Sequence, residues 1–156
     1  EAHSVADEPA DPTNSRANIL QFMDGHLQRY LDSDGEDGHV LDGKPCLLMT
    51  TRGRTTGEPR QVVMFYGYHY GAYVAIASMG GSDVHPGWYK NLLVNPEAQI
   101  QVKGDRMCVR ARTAEGEERE ILWREMAAMY PSYDDYQAVT ERVIPVVILE
   151  VMSVTS

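Results

Sequence analysis

Cysteine is scarce in this sequence, and its scarcity excludes several kinds of protein. Only Cys46 and Cys108 occur among 156 residues, and neither belongs to a Cys-x-x-Cys pair or has a histidine at ligand spacing. A disulfide-stabilised secreted fold is therefore not expected, and neither is a structural metal site. Each cysteine falls within a predicted strand, so we expect both to be small buried residues in a reducing compartment.

Positive charge is also in short supply. The chain has 14 Lys and Arg residues against 23 Asp and Glu residues, which gives a net charge of -9. This balance argues against nucleic acid as a partner, because nucleic-acid binding needs a broad basic surface. It also argues against adhesion to an anionic membrane. A local group of arginines would have to hold any anionic ligand.

Long apolar runs are absent as well. No stretch is long enough to span a bilayer, and no signal-peptide pattern is present, so we expect a cytoplasmic protein without an integral membrane segment. Hydrophobic residues make up 43% of the chain, enough for one globular domain with a core of its own. We predict a single domain over residues 15–156, preceded by a flexible acidic tail over residues 1–14.

An amphipathic helix is predicted to open the domain. Thr13, Asn14 and Ser15 are candidate N-caps, and apolar residues then recur at helical spacing as far as Leu31. We expect this helix to pack on the main body, with His26 as a packing residue at the edge of its apolar face. Peripheral membrane contact is the weaker alternative, because the polar face of the helix is not basic.

The remaining apolar pattern predicts an α+β fold that consists mainly of antiparallel β-structure. Six strands are expected at 46–49, 62–66, 72–78, 98–103, 106–112 and 145–151, and short helices at 85–94, 115–130 and 133–142. Links of hairpin length join most neighbouring strands, which disfavours a parallel doubly wound sheet. The prediction is a small antiparallel barrel with helices on its rim. Its last strand should be buried on both faces, because its apolar run is continuous.

The most unusual segment connects the first two of these strands. Residues 50–60 contain Arg52, Arg54 and Arg60, together with Gly53, Gly57 and four threonines. Glycines let backbone N–H groups turn toward a ligand, and arginines offer forked donors that match phosphate or carboxylate oxygens. The segment is not a Walker loop, since no Gly-Lys-Ser/Thr follows at the required spacing. Two interpretations remain open, an anion-binding loop and a solvated hairpin turn.

Four segments in order resemble the signatures of the deazaflavin (F420)-dependent nitroreductase and quinone reductase family. The first is Leu47-Leu48-Met49-Thr50-Thr51-Arg52-Gly53-Arg54-Thr55-Thr56-Gly57. The second is Ala77-Ser78-Met79-Gly80-Gly81, and the third is Pro86-Gly87-Trp88-Tyr89-Lys90-Asn91-Leu92 with Asn95-Pro96. The fourth is Met129-Tyr130-Pro131-Ser132-Tyr133-Asp134-Asp135-Tyr136-Gln137, followed by Arg142-Val143-Ile144-Pro145-Val146. One such signature is weak, but four with matching gaps are specific.

The resemblance implies a split β-barrel of the flavin-binding superfamily and coenzyme F420, a deazaflavin with an anionic tail, as cofactor. It implies hydride transfer from the reduced cofactor to a small-molecule acceptor, which would be a quinone, a nitroaromatic or an activated enone. It places these residues at the cofactor: Arg52, Arg54, Thr55, Thr56, Gly57, Pro59, Arg60, Val62, Met64, Ala77, Ser78, Met79, Gly80, Gly81, Trp88 and Asn91.

The resemblance also implies an acceptor pocket. It assigns Ser78, Tyr130, Tyr133 and Tyr136 as catalytic residues, and the three tyrosines also line the pocket with Phe65. A phenol is protonated at neutral pH and can donate a hydrogen bond or a proton to a developing anion. The simpler interpretation is that the tyrosines only cap the barrel.

Two other functions stay open on the sequence alone. One is a binding module that carries F420 without turnover, and the other is a split-barrel reductase that uses flavin mononucleotide (FMN). Hydride transfer needs no protein nucleophile, which agrees with the lack of a credible Ser/His/Asp arrangement. We expect a monomer or a weak dimer.

Overall fold

The computed structural model describes residues 25–154. Helix α1 covers 25–32 of this range, and the later helices are α2 (Gly87–Val94), α3 (Gly116–Met129) and α4 (Ser132–Ala138). The strands are β1 (Val40–Leu41), β2 (Lys44–Arg52), β3 (Pro59–Phe65), β4 (Gly67–His69), β5 (Ala72–Ile76), β6 (Glu97–Val102), β7 (Asp105–Thr113) and β8 (Val146–Val154). The predicted tail and the candidate N-caps at 13–15 lie outside the described residues.

All strand pairings are antiparallel, as predicted. The sheet has the order β1-β2-β6-β7-β8-β5-β4, with β3 paired to β2 outside this path. Strand β3 also lies against β5, although no ladder joins the two strands. The sheet therefore curls into an incomplete, split barrel, and the predicted α+β class and barrel are confirmed.

The predicted number of six strands is wrong, because the described residues contain eight. Strands β1 and β4 are short and end in two-residue turns, Asp42-Gly43 and Tyr70-Gly71, whose residues all have positive φ between 49° and 85°. Such turns match the twist of a hairpin and leave no loop to separate its strands. Strand β5 ends at Ile76, which leaves Ser78 in the following turn rather than in the strand.

Alternation along β8 divides the apolar core into two clusters. Val147 and Leu149 pack in one cluster with residues of β2, β6 and α2, and Val146 and Ile148 pack in the other with residues of α3 and α4. Only Val146–Leu149 are buried on both faces, whereas 150–154 are exposed. The expectation for β8 therefore holds for its first half alone.

Of the two cysteines, Cys46 is buried, as expected. Cys108 is only half-buried, so the expectation that it is buried was wrong.

Helix α1 is attached to the sheet by buried polar contacts. Tyr30 is fully buried; its hydroxyl donates to the Gln101 carbonyl at 2.9 Å and accepts from the Lys103 N–H at 2.8 Å. Burial raises the pKa of Tyr30 to about 12. His26 is buried, and its Nε2 lies 2.7 Å from the Gly38 carbonyl, which confirms its packing role. Within residues 25–154, no helix is long and apolar enough to cross a membrane.

Candidate functional site

The arginine loop, residues 52–60, is the hairpin connection between β2 and β3. At its base Arg52 is paired with Pro59, and backbone hydrogen bonds connect the residues between them. The Gly53 N–H donates to the Glu58 carbonyl at 2.7 Å, and the Gly57 N–H donates to the Gly53 carbonyl at 2.8 Å. Gly57 has a φ of 77°, in the region that favours glycine. The backbone of the loop is thus compact, although all its side chains are exposed.

The three arginines of this loop are exposed and form no ion pair with any of residues 25–154. Several arginines elsewhere in the described chain are paired, as Arg106 is with Asp34 at 2.6 Å and Arg112 with Glu118 at 2.8 Å. Among the described residues, the Arg60 side chain has a single weak hydrogen bond, in which Nη1 donates to the Pro59 carbonyl at 3.3 Å. The loop, which also contains the exposed Glu58, therefore presents three guanidinium groups that form no ion pair with a described carboxylate, as an anion-binding loop requires.

Asn91 of α2 holds the arginine loop in place through hydrogen bonds to Arg54 and Thr51. It is 4% exposed; its Oδ1 accepts from the Arg54 N–H at 3.1 Å and from Arg54 Nη1 at 2.8 Å. Its Nδ2 donates to the hydroxyl of buried Thr51 at 3.0 Å. Asn91 thereby orients the Arg54 guanidinium, which also reaches the Gly87 carbonyl at 3.4 Å. Its predicted contact with a ligand stays a prediction.

A second element is the glycine turn, residues 77–82, which follows β5. Met79, Gly80 and Gly81 have φ values of 49°, 63° and 84°, three left-handed residues in succession. A Cβ on Gly81 would lie 2.8 Å from Val139 Cγ2 and 3.2 Å from Tyr136 Cα. The turn thus needs glycine for its backbone angles and for the close approach of α4 and the residue that follows it.

Arg142 holds the glycine turn through its carbonyl groups. Its guanidinium donates to the carbonyls of Ala77 at 3.2 Å, Ser78 at 2.7 Å and Ser82 at 2.6 Å. It also donates to His85 Nδ1 at 3.0 Å. The sequence interpretation placed Arg142 in the fourth signature but gave it no role, because its contacts bridge about 60 residues of chain.

The aromatic cluster consists of Phe65, Tyr130, Tyr133 and Tyr136. The hydroxyls of Tyr130 and Tyr136 are 3.0 Å apart, and the Tyr130 ring lies edge-on to those of Phe65 and Tyr133 at 5.2 and 5.0 Å. Tyr133 is only 4% exposed, and its burial, reinforced by Tyr130 and Tyr136, raises its pKa well above the ordinary value for a phenol. Within the described part of the chain, its hydroxyl has no hydrogen bond.

Lys44 is a second residue that the sequence analysis missed. Its Nζ lies 5.5 Å from the centroid of the Tyr130 ring and 6.0 Å from that of Phe65. These distances allow a cation–π attraction that places positive charge beside the aromatic cluster. No signal in the sequence pointed to it, since Lys44 precedes the first motif as an isolated charge.

The structure brings most of the predicted site residues into two groups. Val62, Met64, Ala77 and Trp88 pack in or against the first core cluster, whereas the aromatic cluster belongs to the second. The glycine turn joins the groups, because Ala77 lies in the first cluster and Gly81 touches the backbone of Tyr136. Residues 82–87 then lead from the turn to α2, whose Asn91 holds the arginine loop. Thr55 and Thr56 are exposed on that loop.

Comparison with known proteins decides the family. The family model described as F420H(2)-dependent quinone reductase matches residues 23–151. The chain belongs to this family. An F420H(2)-dependent quinone reductase of Mycobacterium tuberculosis is 35% identical over 134 residues, which cover 83% of this chain and 90% of that protein. The family is one of oxidoreductases, and its cofactor is coenzyme F420.

Two solved structures are similar to this chain in both fold and sequence. An F420-H2 dependent reductase, FDR-A, is 40% identical with a TM-score of 0.64, and the match covers 68% of this chain and 94% of that one. A structure described as a domain-swapped dimer is 36% identical with a TM-score of 0.66, and the match covers 90% and 100%. Both agree with the split-barrel fold of this quinone reductase family member.

The residues present fit F420. The cofactor has an anionic tail, and the arginine loop offers three guanidinium groups without carboxylate partners among the described residues. The compact backbone of the loop and the contact of Asn91 with Arg54 fix one of these groups in advance of binding. The family cofactor and the charge of this loop therefore agree.

The packing of the glycine turn can be tested with two glycine substitutions. We expect Gly81→Ala to lower the free energy of unfolding by about 1–3 kcal/mol more than Gly43→Ala, because overpacking adds to the cost of a left-handed alanine. Gly43 is the matched control: its φ is 76°, but a Cβ at this position would have nothing within 4 Å. Urea denaturation of both variants measures the difference. Equal losses would contradict the close packing of Gly81.

Proposed function

We propose that this protein transfers a hydride from reduced F420 to a quinone, a nitroaromatic or an activated enone. In this proposal the arginine loop holds the anionic tail of the cofactor, and the aromatic cluster holds the acceptor. The observation that carries it is the set of unpaired arginines: a chain with a net charge of -9 leaves three guanidinium groups free of its described carboxylates. The compact hairpin of the arginine loop presents these three guanidinium groups on one short segment.

Each part of the site has a separate task in this reaction. Reduced F420, when bound, supplies the hydride. Arg54, oriented by Asn91, and Arg60 hold phosphate and carboxylate oxygens, with Arg52, Thr55, Thr56, Gly57 and Pro59 alongside. The glycine turn with Ala77, Ser78, Met79, Gly80 and Gly81 shapes the backbone beside the cofactor, and Val62, Met64 and Trp88 supply apolar contacts. These assignments extend the family resemblance to individual residues of this chain.

The tyrosines stabilise the acceptor as its oxygen gains negative charge. A buried phenol with a raised pKa stays protonated at neutral pH, so Tyr133 acts as a hydrogen-bond donor rather than as an acid. The paired hydroxyls of Tyr130 and Tyr136 provide a second donor, and Ser78 provides a third. Phe65 completes the wall of the pocket.

Two alternatives use the same fold. An FMN-dependent reductase is disfavoured, because a tail with several anionic groups makes better use of three arginines than a single phosphate does. A non-catalytic carrier would need the arginine loop but would have no use for the buried hydroxyl of Tyr133, which has no hydrogen-bond partner within residues 25–154. An isotope experiment distinguishes both alternatives from the proposal.

The cellular setting is part of the proposal. We place the protein in the cytoplasm, where its acceptor is either free or reached at a membrane surface. We expect a monomer or a weak dimer. The domain-swapped relative makes the dimer worth testing, and size-exclusion chromatography with light scattering across protein concentrations measures the oligomeric state.

Removing one guanidinium tests the anion-binding loop. We expect Arg60→Ala to weaken F420 binding about tenfold or more, because a charge-assisted hydrogen bond contributes about 1.5–3 kcal/mol. Quenching of F420 fluorescence measures the dissociation constant, and the affinity should fall with added salt. Arg124→Ala is the control, since Arg124 is an exposed arginine of α3. Equal affinities of the two variants would exclude the arginine loop as the tail site.

An isotope experiment tests the reaction itself. We expect rapid oxidation of reduced F420 by menadione, slowed several-fold when C5 of the cofactor carries deuterium, because the C–H bond breaks in the hydride transfer. With a cyclic enone as acceptor, deuterium should appear on the β-carbon, where it does not exchange with water. Binding of F420 without oxidation by either acceptor would support the carrier. Turnover with reduced FMN but not with reduced F420 would support the flavin alternative.

Tyr133 provides a test of the acceptor pocket. We expect Tyr133→Phe to lower kcat with menadione about tenfold or more, which corresponds to the loss of one hydrogen bond in the transition state. The free energy of unfolding should not fall, because the hydroxyl has no hydrogen bond within residues 25–154. Tyr70→Phe is the control, because Tyr70 is 95% exposed at a hairpin tip. An unchanged kcat would assign Tyr133 to the core alone.

A further inference from the structure

Arg142 stands out among the described arginines because its guanidinium donates to three backbone carbonyls and to no carboxylate. Its side chain is partly buried, and three of its four described acceptors are carbonyl oxygens of Ala77, Ser78 and Ser82. No carboxylate of the described residues lies within ion-pair distance. The acid whose charge acts on Arg142 is Asp83, but its Oδ1 accepts from the Thr140 hydroxyl at 2.8 Å.

A partly buried cation without an ion-pair partner is costly unless polar groups solvate it. Here three of the solvating groups belong to the glycine turn, and the fourth, His85, lies three residues after it. The same turn has three left-handed residues in succession, one of which is Met79. Such a backbone persists only where the surrounding structure fixes it from several sides. Arg142 on one side and the packing of Gly81 against Tyr136 on the other meet that need.

We propose that Arg142 is a positioning residue of the reductase site, which sets the shape of the glycine turn for F420 and the acceptor, and that it does so only while His85 is neutral. The proposal rests on the proposed function for the identity of the ligand. It does not depend on that function for the contacts of the turn in the cofactor-free protein.

His85 belongs to the arrangement because it accepts a hydrogen bond from the guanidinium. Arg142 Nη1 donates to His85 Nδ1 at 3.0 Å, so the imidazole must have its lone pair on Nδ1. A protonated imidazole would point an N–H and a positive charge at the guanidinium. The groups that face His85 are Arg142, Lys90 and the Tyr89 ring, with Asp83 two residues before it.

The acid side of the pH range is therefore where the contact should fail. Burial, followed by the charges of Arg142 and Lys90, lowers the pKa of His85 below its ordinary value of 6.5. Because the neutral form makes the contact, the contact is complete above that value and is lost as the pH falls through the lowered pKa. The cofactor affinity should follow the same dependence.

Hydrogen–deuterium exchange of the cofactor-free protein tests the contacts directly. Arg142→Lys keeps the charge but cannot reach all four acceptors, so we expect amide exchange in residues 77–85 to become at least tenfold faster. Arg119→Lys is the matched control: Arg119 Nη2 also donates to a backbone carbonyl, that of Ile144 at 2.8 Å, outside the turn. Exchange in 77–85 should stay unchanged in that control. Equal exchange in both variants would overturn the proposal.

Binding and turnover then connect the turn to the site. We expect Arg142→Lys to weaken F420 binding or lower kcat/KM for menadione at least tenfold, beyond any change in Arg119→Lys at a comparable melting temperature. Loss of turn protection without either effect would overturn the positioning role. If the wild-type protein neither binds F420 nor oxidises reduced F420 with menadione, the proposed function fails, and the contact of Arg142 is decided by the exchange data alone.

His85→Asn completes the test and remains informative even if Arg142→Lys does not fold. Asparagine offers an acceptor oxygen near the position of Nδ1 but cannot be protonated in this range. In the wild-type protein, F420 affinity and protection of the turn should fall together on the acid side of pH 6.5. In His85→Asn the protection of the turn should not fall in this pH range. The F420 affinity should fall only by the amount that protonation of the cofactor itself causes. An acid limb of the same size in both proteins would overturn the role of His85.

Discussion

An acidic protein that binds an anionic cofactor must keep some of its arginines away from its own carboxylates. This chain does so by placing its arginines in separate segments: those of β7 form ion pairs, and those of the arginine loop do not. Arg106, Arg110 and Arg112 of β7 are paired with Asp34, Glu97 and Glu118, at distances of 2.6 to 3.4 Å. Such exposed pairs add little stability, but they distinguish the paired arginines of β7 from the unpaired arginines of the loop. The arginine loop is the part of the described chain where three guanidinium groups stand close in sequence without acidic partners.

Buried polar contacts, rather than the apolar core, fix the parts of the site relative to one another. The core clusters set where β2, β5 and the helices lie, but apolar packing alone does not determine the direction of a loop backbone. Asn91 provides direction for the arginine loop, since it is 4% exposed and binds Thr51 and Arg54 at once. Arg142 does the same for the glycine turn. Both contacts join segments far apart in sequence, so each depends on the complete fold.

That dependence explains which features the sequence could and could not predict. Alternation and hairpin-length links were sufficient for the antiparallel barrel, because they depend on neighbouring residues. Strand β4 was missed, since Tyr70 adopts a left-handed conformation that is uncommon for tyrosine. The predicted last strand, 145–151, was expected to be buried on both faces throughout, whereas Glu150 and Val151 are exposed from the point where the pairing of β8 with β5 ends. Arg142 could not be assigned, as its acceptors are carbonyl groups, which carry no side-chain signature.

The aromatic cluster shows how the proposed reaction avoids the need for a strong acid. When a quinone accepts a hydride, negative charge develops on oxygen, and a group nearby must stabilise it before a proton arrives. Burial makes Tyr133 a weaker acid, yet it leaves an unsatisfied hydroxyl aimed at no described partner. An acceptor oxygen would satisfy that hydroxyl more fully as its charge grows, which is the differential stabilisation that lowers a barrier. Lys44 Nζ, 5.5 Å from the centroid of the Tyr130 ring, places a positive charge beside the aromatic cluster. In the proposed reaction, stabilisation would come from the hydroxyl dipoles of the tyrosines with Lys44 nearby, and the proton would follow from the half-buried pair of Tyr130 and Tyr136 or from water.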